Sequence, residues 1–280
     1  MLSQELKMAR EDMQFNEEEL EALVLADIYE DALTTQRIAE ILDSPDLVPG
    51  NFDLNHLINM HEYIFQDFPE KWIEQNETTA EFFHYLQPEM LMFEPGQLRE
   101  EREPFNPVEK YREIGDGKFG SISHYSCNSE GDLGKAEQML AAASPENLKQ
   151  MSKREVIESM VNLYEELDFV HPFSEGNSRT LRTFTKLLAQ EAGVDLNWSN
   201  INREELYAAR DISLNTKTIE YFTQKASEAP FDTEMVDKAR ANLMNLESKG
   251  YKNMQELFAK HELDLELPVG QDMNHQNFGM

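Results

Sequence analysis

One run of polar side chains, HPFSEGNSRTLR at residues 171–182, contains the groups needed for chemistry on a phosphate. It combines a histidine, a carboxylate, an amide, a glycine and two arginines. A histidine can exchange a proton near neutral pH, arginines bind phosphate oxygens through paired hydrogen bonds, and a carboxylate is a ligand for Mg²⁺. The alternative is a polar loop between two helices, and the flanking sequence is needed to judge it.

The flanks predict that this run joins two helices. Apolar residues at helical spacing predict a helix over 145–169, and a second helix begins near Gly176 and ends at Gly193. His171 is therefore expected beside a helix N-terminus, where backbone N–H groups and the helix dipole favour an anion. Gly176 is expected to let the backbone approach that anion with no side chain between them.

The remaining polar residues of the run have predicted roles around the same anion. Arg179 and Arg182 are three residues apart on the new helix, so both can point toward one phosphate chain. Glu175 is placed to hold Mg²⁺ shared with the phosphates, and Asn177 can donate to a phosphoryl oxygen. Phe173 is interpreted as an apolar anchor that fixes the loop in the core.

The run resembles the signature of the Fic family, His-Pro-Phe-x-acid-Gly-Asn-x-Arg-x-x-Arg, and matches every fixed position of it. Residues 52–68, 118–125 and 189–213 are also similar to family segments. The resemblance covers residues 50–226 and implies an all-α fold, a Fic-type helical bundle with a small β-hairpin flap. Helical N- and C-terminal extensions are expected over 1–49 and 227–280, the latter acidic.

The resemblance implies transfer of AMP from ATP to a Ser, Thr or Tyr hydroxyl of a target protein. His171 would be the general base, and Asn177 with the loop N–H groups would hold the α-phosphate. Glu175 would hold Mg²⁺, Arg179 the β-phosphate and Arg182 the γ-phosphate. The implied nucleotide site consists of Phe173, Gly176, Asn177, Ser178, Arg179 and Arg182.

A hairpin is predicted from the glycines at both ends of GDGKFGSISHYSCNSEGD, after an irregular excursion over 86–117. By the same resemblance this hairpin is the flap, along whose backbone edge a target segment would add as a strand. The residues expected to dock the target are Lys118, Phe119, Ser121 and Ser123.

Two departures from the family pattern are visible. Ser178 stands where most members have Gly or Lys, and the missing Lys argues against the members that phosphorylate their targets. After Phe68 the chain continues PEKWIEQ where members often have Trp-Ala-Gly, which affects the expected choice of substrate and not the fold.

Many Fic proteins are inhibited by a helix with the pattern Ser/Thr-x-x-x-Glu-Gly/Asn, whose Glu pairs with the second motif arginine, here Arg182. The only full match, SCNSEG at 126–131, lies beside the flap and not on a predicted helix. Glu30 and Glu220 are partial matches on helices and are expected to be ordinary surface acids. The resemblance then implies a separate small antitoxin that supplies the inhibitory Glu, with a degenerate internal brake as the alternative.

Composition limits the other possibilities. A net charge of −29 repels nucleic acid at long range, so no nucleic-acid partner is expected. The single cysteine excludes an intramolecular disulfide, and His56 and His61, five residues apart, are expected in the core or on the surface and not as metal ligands.

No apolar run is long enough for a bilayer span, so no membrane association is expected. The expected location is the bacterial cytoplasm, or a host cell reached through a specialised secretion system. A Gly-x-Ser-x-Gly turn and a Walker P-loop are missing from the sequence, which disfavours a serine hydrolase and a P-loop enzyme. Two alternatives stay open: another phosphate-containing donor such as UTP, GTP or a phosphocholine carrier, and a catalytically silent interaction module.

Periodicity predicts further helices over 17–30, 34–42, 53–68, 133–143, 204–213, 217–226 and 232–261. The last range is expected to hold one or two helices, with Asp232 as an N-cap, and the final stretch 268–280 is expected to fray.

Overall fold

Helices dominate the described part of the chain. The computed structural model describes residues 17–67, 94–99, 108–115, 118–124, 132–225 and 233–263. Its helices are α1 (Glu17–Asp43), α2 (Leu54–Phe65), α3 (Asp132–Ala142), α4 (Pro145–Leu148), α5 (Lys153–Val170), α6 (Asn177–Glu191), α7 (Arg203–Lys225), α8 (Thr233–Ser248) and α9 (Met254–Phe258). Two strands, β1 (Val108–Gly115) and β2 (Lys118–His124), pair antiparallel. The predicted all-α class is confirmed.

The core forms around the packed pair α5 and α6, the two helices that flank the 171–182 run. Each helix buries the apolar face that its sequence predicts. The fully buried residues of α5 include Val156, Met160, Val161, Tyr164 and Leu167, and those of α6 include Leu181, Phe184 and Leu188. Helix α2 packs against α6, and α9 contributes Met254 and Phe258 to the same core cluster. Burial of each such side chain stabilises the fold by about 1.5–3 kcal/mol.

The prediction of a single helix over 145–169 is wrong, because the chain forms two helices there, α4 and α5. Ser152 begins α5 with a capping box: its Oγ accepts from the Glu155 N–H at 3.3 Å, and its own N–H donates to Glu155 Oε2 at 2.7 Å. Such reciprocal capping fixes a helix start, so the residues before it, 149–152, leave the helical path.

Two predicted helix breaks are also wrong, since α1 and α7 are continuous through them. At each supposed break a threonine hydroxyl bonds within the helix: Thr34 Oγ1 donates to the Glu30 carbonyl at 2.7 Å, and Thr216 Oγ1 to the Ile212 carbonyl at 2.9 Å. A threonine that satisfies its hydroxyl in this way does not interrupt a helix. Neither region contains Pro or Gly to force a break.

The hairpin begins earlier in the chain than predicted. Its first strand, β1, occupies 108–115, a stretch predicted as irregular, and β2 alone lies inside the stretch GDGKFGSISHYSCNSEGD that was predicted to form the hairpin. The sequence VEKYREIG alternates charged and apolar residues weakly, which hides a strand from a periodicity argument. The sheet has two strands in the described residues, so β2 keeps one backbone edge there that is not paired with another strand.

Helix α1 is attached to α2 by a polar cluster. Arg37 Nε donates to Asp67 Oδ2 at 2.6 Å, its Nη1 donates to Glu40 Oε2 at 2.8 Å, and the Tyr63 hydroxyl donates to the same Glu40 oxygen at 3.0 Å. These bonds fix the orientation of α1 about its axis. The N-terminal half of α1 is thereby directed across the start of α6.

Several predictions fall on residues that lie outside the described ranges. They are the PEKWIEQ segment, the SCNSEG match at 126–131, the N-cap role expected of Asp232, and the final stretch 268–280. Among the described residues, no helix has the length and apolarity needed to cross a membrane.

The capping box yields a stability prediction. We expect Ser152→Ala to lower the free energy of unfolding by about 1 kcal/mol, since the first turn of α5 loses the acceptor for a backbone N–H. Chemical denaturation monitored by circular dichroism measures the change. Ser44→Ala is the matched control, because Ser44 begins a short 3₁₀ turn without a side-chain capping bond. Equal losses in both variants would contradict the assigned cap.

Candidate functional site

The run between α5 and α6 begins with a backbone conformation that is unusual for its residue type. His171 ends α5 in the left-handed region, at φ 53° and ψ 59°, and its N–H donates to the Leu167 carbonyl at 3.0 Å. Glycine is the common residue at such a position, and other residues there carry strain. His171 is 1% exposed, so the strained turn holds a buried imidazole at the C-terminus of α5.

A short segment, 94–99, clamps the backbone of the run. Leu98 forms a bridge with Phe173, and the Arg99 N–H donates to the Pro172 carbonyl at 2.8 Å. The Arg99 guanidinium then donates to the His171 carbonyl at 3.1 Å and to the Ser174 carbonyl at 2.8 Å. Three carbonyl groups that lack helical partners are thus satisfied by one residue.

A second clamp comes from α2. The ring of His61 stacks on Phe173, with centroids 3.9 Å apart, and its Nε2 is 3.1 Å from the Glu175 carbonyl. Because the Gly96 N–H donates to His61 Nδ1 at 2.8 Å, Nε2 carries the hydrogen and donates to that carbonyl. Burial lowers the pKa of His61 to about 4, which keeps the ring neutral. His56 is also buried, so both histidines lie in the core, one of the two places that the sequence left open for them.

The side chain of Asn177, the first residue of α6, fixes the shape of the loop. Asn177 Oδ1 accepts from the Phe173 N–H at 2.9 Å, and Asn177 Nδ2 donates to the Phe173 carbonyl at 2.6 Å. The loop backbone engages one hydrogen of the Asn177 amide, and the donation of its second hydrogen to a phosphoryl oxygen stays a prediction. Phe173 itself is fully buried against His61, at the place expected of an anchor.

Gly176 is the N-cap of α6 and has a left-handed backbone, φ 75°. A Cβ at this position would lie 2.1 Å from Cζ of Phe65, so even an alanine would collide with that ring. The sequence predicted a glycine here to allow close approach of an anion. The Phe65 ring adds a steric reason, because it leaves no room for a Cβ. As a glycine, Gly176 has no side chain to cap the first turn of α6, whose leading N–H groups have no partners within the helix.

Glu175 is ionised beside this helix start. Burial raises the pKa of its carboxyl, but Lys110, the Gly176 N–H and Arg179 lower it more, and the net pKa lies below the ordinary value. The Gly176 N–H donates to Glu175 Oε1 at 2.9 Å. One ionised carboxylate with phosphate oxygens is a typical set of ligands for Mg²⁺, so the predicted metal ligand fits. The described residues contain no cluster of three His, Cys, Asp or Glu that would hold a metal alone.

The electrostatic environment of His171 keeps its imidazole neutral. The pKa of His171 is lowered to about 4: burial is the main cause, Lys110 and Arg210 act in the same direction, and Asp168 opposes them. A neutral imidazole has a lone pair on one nitrogen and can accept a proton.

The two motif arginines have different surroundings. Arg179 donates to Glu30 Oε1 at 2.5 Å, to Asp31 Oδ1 at 3.1 Å and to Thr34 Oγ1 at 3.1 Å, all on α1. Its guanidinium also lies 4.9 Å from the centre of the Phe65 ring. The Glu30 side chain is 12% exposed, so the expectation of an ordinary surface acid is wrong for this residue. Burial raises its pKa and Arg179 opposes the effect.

Arg182, by contrast, has no described contact with α1, and its Nε donates to the Ser178 carbonyl at 3.1 Å. The Ser178 hydroxyl is 3.2 Å from the Tyr164 hydroxyl and so points toward α5. Glu220, the other acid considered as a brake, is exposed on α7.

The predicted docking residues lie in β2, where the structure describes their backbone: Lys118, Phe119, Ser121 and Ser123. The described side chain of β2, Ile122, is buried in a cluster with Phe169 and Leu214. This cluster attaches the hairpin to α5 and α7.

Sequence reasoning missed Arg99, His61, Lys110 and the buried pair Asp168 and Arg210. The pair carried one signal in the sequence, because Asp168 is a charged residue on the face of α5 that the apolar spacing assigns to the core. Arg99 and Lys110 belong to stretches without helical periodicity, and their partners are distant in sequence.

Comparisons with known proteins agree with this geometry. Residues 51–189 match the Fic/DOC family. The protein adenylyltransferase VbhT of Bartonella schoenbuchensis is 25% identical over 167 residues, which cover 58% of this chain and 26% of that protein. A protein adenylyltransferase of Bartonella henselae is 38% identical over 77 residues, 28% of this chain and 14% of that protein. The alignments thus span about a quarter or less of these relatives.

A solved structure of the N-terminal Fic domain of a Bartonella quintana cell filamentation protein, with bound ADP, is 22% identical with a TM-score of 0.46. It aligns with 68% of this chain and 77% of that domain. The family match includes the whole 171–182 run and the α2 helix that clamps it. This chain therefore belongs to the Fic/DOC family.

Proposed function

We propose that this chain transfers AMP from ATP to the hydroxyl of a Ser, Thr or Tyr in a target protein. The observation that carries the proposal is the placement of a neutral, buried histidine directly before an α-helix whose first turn lacks a side-chain cap. A proton acceptor and an anion-binding helix start within six residues suit an attack by a hydroxyl on a phosphate. The names of the two curated relatives support the same activity.

In the proposed reaction the hydroxyl oxygen bonds to the α-phosphorus, and the bond from that phosphorus to the bridging oxygen breaks. Pyrophosphate leaves, and the hydroxyl proton moves to the lone pair of His171. The N–H groups at the start of α6 would stabilise the charge on the α-phosphate oxygens during this exchange. Phe173, Gly176 and Asn177 would act through the loop shape that presents those N–H groups.

Phosphate binding is assigned to the charged residues around the same helix start. Arg182 would bind the γ-phosphate, and Arg179 the β-phosphate once it is released from α1. Glu175 would hold Mg²⁺ together with the phosphates; the ion would supply positive charge that offsets the negative charge of the triphosphate. The Ser178 hydroxyl points to Tyr164, so Ser178 would contribute its backbone N–H alone.

The contact between α1 and Arg179 adds regulation to the proposal. Glu30 and a β-phosphate oxygen would compete for one guanidinium, so the described arrangement favours a restrained enzyme. The contact involves the first motif arginine and not the second, and the order of residues is Glu30 followed by Thr34, the reverse of the family pattern. A separate antitoxin is then not needed to supply the inhibitory acid.

The target, its docking along β2 and the location of the enzyme in a bacterium or a host cell stay predictions. The use of ATP and not another donor also stays a prediction, because the assigned residues contact phosphates and not the base.

The test of the activity is removal of the base. We expect His171→Asn to lower nucleotide transfer by roughly 10²–10⁴-fold, the usual contribution of a general base. Asparagine is suited to this test because it tolerates a left-handed backbone better than alanine. Transfer is measured as incorporation of label from α-labelled ATP into a target or into the chain itself.

Calorimetry with Mg·ATP is the control for this variant, and its affinity should be unchanged within a factor of about two, since the imidazole is assigned to proton transfer. Transfer by His171→Asn at the parent rate would contradict the assignment of the base.

The phosphate assignment has its own test. We expect Arg182→Ala to weaken Mg·ATP binding by tenfold or more, because a hydrogen bond to a charged group contributes about 1.5–3 kcal/mol and a tenfold change corresponds to 1.4 kcal/mol. Isothermal calorimetry measures the affinity. Lys186→Ala is the matched control on the same helix, since Lys186 pairs with Asp195 at 3.0 Å. Equal affinities for the two variants would place the phosphates elsewhere.

Restraint by α1 is tested through Glu30. We expect Glu30→Gly to raise self-modification at least tenfold, because Arg179 loses a charge-assisted bond worth about 1.5–3 kcal/mol and becomes available to phosphate. Glu220→Gly is the matched control: it removes an exposed helical carboxylate and carries the same helix cost of about 1 kcal/mol.

If self-modification rises in neither variant, inhibition would have to come from a separate protein. A rise in Glu220→Gly alone would place the brake on α7.

A further inference from the structure

A buried ion pair lies behind the imidazole of His171. Asp168 on α5 accepts two hydrogen bonds from Arg210 on α7, from Nε at 2.5 Å and from Nη2 at 2.7 Å. The Asp168 side chain is 1% exposed and that of Arg210 is 6% exposed. This parallel pair of bonds holds the carboxylate in one orientation.

Asp168 faces the Nδ1 side of the imidazole in two ways. Its backbone carbonyl is 3.3 Å from His171 Nδ1, and its carboxylate Oδ1 is 3.8 Å from the same nitrogen. Both atoms are acceptors, so they favour the tautomer with hydrogen on Nδ1. The lone pair is then on Nε2, the nitrogen on the far side of the ring from Asp168.

Stability alone gives a weak reason for such a pair. Removing two charges from water costs several kcal/mol per ion, and apolar residues of similar size are often as stabilising as a buried ion pair. The pair is also not needed to join the helices, since α5 and α7 share other contacts through the Phe169 and Leu214 cluster. A buried charge that contacts a proposed base is more readily explained by an effect on that base.

The charges around His171 come from four directions. Asp168 lies on its own helix, Arg210 on α7 and Lys110 on β1, and the ionised Glu175 lies further along the same loop. Arg210 and Lys110 disfavour a positive imidazole, whereas Asp168 favours it. Arg210 therefore has two effects: it orients the carboxylate and it limits how strongly that carboxylate attracts a proton to the ring.

We infer that Asp168, held by Arg210, is a positioning residue for His171. It fixes the tautomer and orientation of the imidazole, and it stabilises the imidazolium that forms when Nε2 takes the proton of the target hydroxyl. This inference rests on the proposed function for its catalytic consequence, whereas its effect on the tautomer is independent of any reaction.

The experiment compares Asp168→Asn with Glu166→Gln, a matched control two residues away on α5 whose carboxylate pairs with Lys217 and does not face the imidazole. Long-range ¹H–¹⁵N spectra of ¹⁵N-histidine protein report which ring nitrogen of His171 carries hydrogen. We expect a single Nδ1–H tautomer in the parent and in Glu166→Gln, and a mixture in Asp168→Asn. The pKa of His171 should fall in Asp168→Asn, because the group that favours its charged form is lost.

Transfer kinetics give the second measurement. We expect kcat for labelled-ATP transfer by Asp168→Asn to fall roughly 10- to 100-fold, less than the 10²–10⁴-fold expected for loss of the base, because the backbone carbonyl still faces Nδ1. KM for ATP should stay within twofold of the parent, because Asp168 contacts the imidazole and is not assigned to phosphate binding, and circular dichroism checks that the variant is folded. Asp168→Glu, which keeps the charge, should recover part of kcat.

If unpaired Arg210 unfolds Asp168→Asn, the variant Asp168→Asn with Arg210→Gln removes both charges and carries the same expectations for the tautomer and for kcat. An unchanged Nδ1–H tautomer together with an unchanged kcat would overturn the inference. A parent that is inactive, and stays inactive as Glu30→Gly, but nevertheless shows the tautomer change on Asp168→Asn would overturn the proposed transferase activity and leave the role of Asp168 in place.

Discussion

The polar backbone of the six residues between α5 and α6 is the constraint on which the rest of the site depends. These residues leave helical geometry inside the core, where an unsatisfied carbonyl or N–H costs about as much as a lost hydrogen bond. Their groups are satisfied by Arg99, His61 and Asn177, which belong to three separate parts of the chain. The loop therefore has its shape only when segment 94–99, α2 and α6 are all in place, and a strained His171 can be held there.

Steric contact connects this loop to the N-terminal helix. Phe65 fills the space that a side chain at Gly176 would need, and its ring also contacts the guanidinium of Arg179. A cation over an aromatic ring is worth about 0.5–2 kcal/mol, which fixes the arginine without satisfying its hydrogen-bond donors. Those donors meet Glu30, Asp31 and Thr34, so the position of α1 determines whether Arg179 is available to a ligand.

The sequence was sufficient for the local parts of this arrangement. The 171–182 run and the two helices around it follow from residue type and periodicity, because each depends on neighbours within a few turns. Arg99, the Asp168–Arg210 pair and the Glu30 contact could not be predicted in this way. Their partners are 42 to 149 residues apart, and no pattern within one segment records such a pairing. The continuity of α1 and α7 was also not predicted. Each predicted break lies near a threonine whose hydroxyl bonds within the helix, and that bond is not visible in the sequence.

The net charge of −29 must be reconciled with a site for a triphosphate. At physiological ionic strength charges separated by more than about 8 Å are largely screened, so the distant acids weaken binding less than their number suggests. Around the α6 start the charges are mixed, because Glu175 interacts with Lys110 and Arg179, and Arg179 interacts with Glu30. The carboxylate of Glu175 would favour phosphate binding only when it holds a cation. Glu30 would oppose phosphate binding, because it pairs with Arg179. A nucleotide with bound Mg²⁺ resolves the first conflict, and displacement of α1 resolves the second. The electrostatics thus favour a site that is complete only when the metal arrives with its nucleotide and the N-terminal helix has released Arg179.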